Sequence, residues 1–218
     1  MVIKPLRGKM LDKAIISADR ALRTLLGVPL PGARPTPSVD GDASSSILNE
    51  RERRHAASLM RVNHTGEVCA QALYQGQAMT SRSKALKAHL RQAASEEQDH
   101  LSWCAERLAA LGGRASLLNP AFHAVSFCLG AAVGLHKEET GLGFVSATED
   151  EVCEHLDRHL QSLPEGDHAS RAVLEAMREE EAGHGSDAMR AGGKTFPEAI
   201  KGLMRLTSKV MTASTYRV

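Results

Sequence analysis

Apolar residues recur every three or four positions along most of the chain and almost never alternate with polar ones. That period belongs to amphipathic helices, not strands. Leu11, Ile15, Leu22, Leu25 and Leu26 outline a short helix over 9–26. Pro29, Pro31, Pro35 and Pro37, with interspersed glycine and serine, turn 27–46 into a linker. The pattern predicts long helices over 48–80 and 83–111, the second stopped at Gly112-Gly113. An apolar segment, 121–135, follows Asn119-Pro120. After a break near Gly141 to Gly143, helices follow over 143–163, 167–191 and, from Pro197, to about 212. Residues 1–46 form an N-terminal appendage, and 47–218 form an all-α bundle of four long helices with shorter additions.

Composition agrees with this. Aromatic content is 3%, and long β-branched runs are missing. The formal net charge of +1 leaves no electrostatic footprint for nucleic acid. The N-terminal residues carry no apolar signal core, and no apolar stretch reaches the roughly 20 residues that span a bilayer. Cys69, Cys104, Cys128 and Cys153 form no C-x-x-C and read as small apolar core residues in a reducing compartment.

The chemistry lies in Glu-x-x-His. It occurs four times: Glu52 with His55, Glu97 with His100, Glu165 with His168, and Glu181 with His184. Residues three apart share a helix face. Glu97 and His100 fall on a stripe with Leu90, Ala93, Leu101, Cys104 and Leu108. Glu181 and His184 fall with Leu174, Met177 and Ala188. His55, among Arg51, Arg53 and Arg54, reads as a solvated face, and His168 as a helix start. Two further carboxylates lie on apolar faces: Glu67 in line with Met60, Ala70 and Tyr74, and Glu149 in line with Val145, Val152 and Leu156. Glu67 precedes Glu97 by 30 residues and Glu149 precedes Glu181 by 32, the two sets being offset by 82 to 84. This is a repeat of two helical hairpins carrying the same ligand set.

Four buried carboxylates need compensating charge, because one unpaired buried carboxylate already costs several kcal/mol. Two divalent ions supply four positive charges. A Glu from each of two helices and a Glu-x-x-His from each of two others is the arrangement of ferritin-like di-iron and di-manganese bundles. Oxygen-rich sites with one histidine per ion suit iron or manganese better than structural zinc.

The stretch Arg61-Val-Asn-His-Thr-Gly-Glu67, with Glu97-Gln-Asp-His100, Glu149 and Glu181-Ala-Gly-His184, resembles the demethoxyubiquinone hydroxylase family of ubiquinone biosynthesis over about residues 50–215. The resemblance implies a ferritin-like fold and an O2-dependent monooxygenase with two Fe ions, Fe2+ in the O2-reactive state. Its substrate would be the ring of a polyprenyl demethoxyquinone or quinol. Glu67, Glu97 and His100 would serve one iron, and Glu149, Glu181 and His184 the other. Glu97 and Glu181 would bridge, and His155 would be a catalytic residue near metals and substrate. The spacing of His155 from Glu149 does not itself put the two on one face, and Glu154 stands where some relatives carry a further histidine. The resemblance also implies peripheral attachment to the cytoplasmic face of the cell membrane, and a homo-oligomer or a complex of ubiquinone-biosynthesis proteins.

Two other readings share parts of this pattern. A ferritin- or rubrerythrin-like iron oxidase or peroxidase would share the ligands, although a rubredoxin-like cysteine set is missing. A non-catalytic membrane-associated helical protein would share the last helix. There Ile200, Leu203, Met204, Val210 and Met211 oppose Lys194, Lys201, Arg205, Lys209 and Arg217. That stripe fits a lipid surface or packing on the bundle equally well. Asn63 and His64 read either as groups supporting the metals or as surface residues. His89, His123, His136 and His159 have no assigned partner.

Overall fold

The computed structural model describes residues 32–38 and 48–218. The predicted helix over 9–26 lies outside the described residues. The described chain contains six helices: α1 (Glu50–Thr80), α2 (Lys84–Ala110), α3 (Asn119–Gly134), α4 (Glu138–Ser162), α5 (His168–Arg190) and α6 (Glu198–Thr215). No strand occurs among the described residues. The described residues are therefore all-α, with the ferritin-like arrangement. α1 and α2 form one hairpin, α4 and α5 the second, and α3 carries the chain between them while packing along α1.

The boundaries follow local chemistry. Asn49 caps α1 by accepting from the N–H groups of Arg51 and Glu52, and Glu52 reaches back to the Asn49 N–H at 2.9 Å. Ser83 caps α2 through the Leu86 N–H. Gly112 and Gly192 take positive φ, 70° and 103°, just past the ends of α2 and α5. The predicted break at Gly141 to Gly143 is not there, because α4 runs through it from Glu138. Gly143 serves packing instead: a Cβ would collide with the backbone of Lys194. Gly130 does the same against Leu73 of α1, letting the α3 backbone lie directly on its neighbour.

Two apolar clusters fill the bundle. One contains Met60, Trp103, Cys104, Leu156, Leu174 and Met177, and the other Leu73, Tyr74, Leu86, Leu90, Val145 and Ala188. On each of the four long helices the predicted ligands fall in sequence between the two clusters. The polar layer is thus closed above and below by apolar side chains.

All four cysteines are free, but only Cys104 is fully buried; Cys128 is exposed on α3, contrary to its reading as a core residue. The reason is the setting of α3, an apolar helix on the outside of the bundle. Val125 and Leu129 are 63% and 45% exposed. On α6, Ile200, Leu203, Leu206 and Val210 are exposed, while Met204 packs against the bundle. No helix among the described residues is long and apolar enough to cross a membrane.

Candidate metal centre

Glu67, Glu97, His100, Glu149, Glu181 and His184 converge from α1, α2, α4 and α5. They form two overlapping sets, each with ligand atoms within 4.8 Å of one another. Glu67, Glu97, His100 and Glu181 make one; Glu97, Glu149, Glu181 and His184 make the other. Only Glu97 and Glu181 belong to both. Their geometry explains why. Glu97 turns Oε2 to His100 Nδ1 at 3.1 Å and Oε1 toward His184 Nδ1 at 3.6 Å. Glu181 turns Oε1 to His100 Nδ1 at 3.0 Å and Oε2 to His184 Nδ1 at 3.2 Å. Each carboxylate therefore offers one oxygen to each half.

The electrostatics are those of crowded acids. Burial, reinforced by the charges of Glu97 and Glu181, drives Glu67 well above the usual carboxylate range. Burial and Glu181 do the same to Glu149. At Glu97 burial also opposes charge, but the hydrogen bond from His100 and the nearby His184 imidazole outweigh it and hold the carboxylate low. Burial works against a charged His184 as well, yet the carboxylates of Glu181 and Glu97 raise it to about 11. His100 is likewise raised against its burial, by Glu180, Glu181 and Glu97.

The residues fit a metal. Glu67 Oε2, Glu97 Oε1 and Glu149 Oε1 are buried without a hydrogen-bond partner, a costly condition for a polar oxygen that a cation relieves. Four carboxylates and two imidazoles are the hard and borderline donors that divalent iron or manganese takes.

The sequence reading missed an outer layer. His100 Nε2 meets Glu180 Oε2 at 3.0 Å, and His184 Nε2 meets Glu96 Oε2 at 2.5 Å. Each imidazole thus turns one nitrogen to the ligand carboxylates and the other to an acid on the opposite hairpin. Such partners fix the ring and its tautomer. The signal was available, since Glu96 and Glu180 repeat at the same offset of 84 as the residues they precede.

His155 does not join the cluster. Its Nε2 lies 3.1 Å from Asn63 Oδ1, and His159 Nδ1 reaches the same oxygen at 3.0 Å. His159, unpartnered in the sequence reading, therefore has a clear role in holding Asn63, one turn before Glu67. His64 is buried, neither surface-exposed nor among the metal-site ligands. Its Nδ1 lies 3.4 Å from the amide of Asn119, whose Oδ1 is 2.8 Å from the Thr65 hydroxyl. Arg61 bonds the carbonyls of Arg114 and Tyr216. The stretch 61–67 therefore ties α1 to α3, α4, the C-terminus and the carboxylate cluster at once. His55, read as solvated, is half-buried and bonds Tyr216 and Ser162.

The sequence pattern described as "Ubiquinone biosynthesis protein COQ7" matches residues 54–215. A protein of Stutzerimonas stutzeri named 3-demethoxyubiquinol 3-hydroxylase is 53% identical over 207 residues, covering 95% of each chain. Proteins of the same name from Azotobacter vinelandii and Pseudomonas aeruginosa are 53% and 51% identical, over 95% of this chain and 95% and 96% of their own. A match over the whole bundle, with the paired Glu-x-x-His helices inside it, places this chain in the COQ7 family of ubiquinone biosynthesis proteins.

Proposed function

We propose that this protein is a di-iron monooxygenase that hydroxylates the ring of a polyprenyl demethoxyubiquinol. The observation that carries the reading is the sharing of Glu97 and Glu181 between two ligand sets, in a chain whose relatives are named for that hydroxylation. Glu67, Glu97, His100 and Glu181 would hold one iron, and Glu97, Glu149, Glu181 and His184 the other. Bound iron would supply the reduction of dioxygen. The chain supplies the rest. Glu96 and Glu180 orient the imidazoles, and the two apolar clusters keep bulk water from the polar layer. His155, with His159, holds Asn63 one turn from Glu67, which gives it a supporting part in the site and not a ligand's part.

The substrate's isoprenoid tail belongs in lipid. The exposed apolar faces of α3 and α6, with Lys201, Arg205 and Lys209 on α6, suit attachment to an anionic membrane surface without crossing it. Such attachment would be peripheral, on the cytoplasmic side of the cell membrane, where the quinol and O2 are both available.

Quinone analysis of a strain lacking the gene tests the proposal. The strain should accumulate demethoxyubiquinone, cleared by the wild-type chain and not by Glu97→Ala. Clearance by Glu97→Ala, or none by wild type, would overturn it.

A further inference from the structure

Residues 32–38 lie against the bundle, and their contacts converge on one outer carboxylate. Arg34 gives Nη1 and Nη2 to the two oxygens of Glu180 at 2.6 and 2.8 Å. Its Nε reaches Asp99 Oδ2 at 2.5 Å. Asp99 Oδ1 accepts the N–H groups of Ala33 and Arg34 at 2.6 and 3.3 Å. The guanidinium lies over Trp103, 4.7 Å from the ring centroid, and the indole N–H points to the Arg34 carbonyl at 3.4 Å. The strap sits so close that a Cβ on Gly32 would come within 2.8 Å of Asp99 Oδ1.

A lone ion pair at this exposure would contribute little. Arg34 is different because Asp99 and Trp103 fix its guanidinium before it meets Glu180, and the meeting is bidentate. Glu180 passes the constraint inward. The oxygen that accepts from Arg34 Nη2 also meets His100 Nε2. The other half differs. Among the described residues Glu96 is met by the Gln92 amide at 2.6 Å and by no arginine. His100 is fully buried, whereas the His184 side chain keeps 13% exposure.

We propose that Arg34 is a positioning residue for His100, acting through Glu180, and that it makes the His100 half the tighter of the two metal sites. This rests on the metal-centre reading above. Cobalt(II) titration of the full chain, followed by visible absorption, separates the two. His184→Ala leaves the His100 half to be read alone, and His100→Ala leaves the other. In the first background Arg34→Ala should weaken cobalt binding about 10–100-fold, the usual effect of losing an outer partner. Arg34→Lys should recover part of that loss. In the second background Arg34→Ala should change nothing. Glu180→Gln should reproduce the loss and leave Arg34→Ala without further effect. Circular dichroism confirms that each variant is folded. Equal losses in both backgrounds, or none in either, would overturn the positioning role alone. A folded wild-type chain that takes up no cobalt would overturn the metal centre and this inference with it.

Discussion

His100 and His184 stand with ring centroids 6.4 Å apart, and both turn Nδ1 toward the same two carboxylates, Glu97 and Glu181. The shared acids belong to both sets, whereas Glu67 and Glu149 belong to one each. Glu97→Ala or Glu181→Ala should therefore lose both metals together, while Glu149→Ala loses mainly one. Metal analysis after anaerobic iron loading reads the difference. Full occupancy in Glu97→Ala would refute the bridging assignment. Helical content should persist in all three, because the apolar clusters on either side are untouched.

Metal uptake should be strongly pH-dependent. His184 is raised to about 11 and so carries a proton near neutrality, and His100, Glu67 and Glu149 are shifted in the same direction. Ligands bind metal in the deprotonated form. Displacing protons held by these groups predicts proton release on metal binding, with affinity rising with pH. Calorimetry in buffers of different ionisation enthalpy counts the protons. Uptake without release would contradict this electrostatic account.

The Asn63 cluster should shape acid stability. Burial lowers His155 to about 4; burial and the neighbouring His155 lower His159 to about 2. Below the ordinary value of 6.5 the unfolded chain takes protons that the folded chain refuses. Stability is thus fully present above 6.5 and is lost as pH falls toward 4, with His159 extending the loss further. His155→Gln removes one such proton. It should flatten the slope between those values by up to about 1.4 kcal/mol per pH unit. Urea unfolding at stepped pH measures the slope, and an unchanged slope would rule out this origin.

The apolar stripe of α6 should matter to lipid and not to folding. Leu203 and Val210 are 64% and 59% exposed. Each contributes roughly 1.5–3 kcal/mol when fully buried, so Leu203→Glu with Val210→Glu should weaken binding to anionic vesicles by at least about tenfold. The melting temperature and metal content should stay unchanged. Undiminished vesicle binding would exclude α6 as the contact.

The six candidate ligands were legible because helix periodicity converts spacing into facing, and the two halves repeat the same spacing. Helix ends were legible where glycine or a capping side chain marks them. Gly141 and Gly143 misled, since a glycine that admits a neighbouring backbone looks in sequence like one that ends a helix. The tie from Arg34 to Glu180 spans 146 residues and follows no period, so no local pattern reveals it. The same holds for His159, whose partner Asn63 is 96 positions away.

The functional side chains of 61–67 spread over more than half the circumference of α1. Arg61 reaches the Arg114 carbonyl, Asn63 meets His155, His64 and Thr65 share Asn119, and Glu67 enters the carboxylate cluster. One inserted or deleted residue turns everything beyond it by about 100° and shifts it by about 1.5 Å. Contacts on opposite sides of such an edit could no longer be made together. This helix can therefore vary its side chains one at a time, but its length between the loop of Arg114 and the carboxylate cluster is fixed like a gear tooth count.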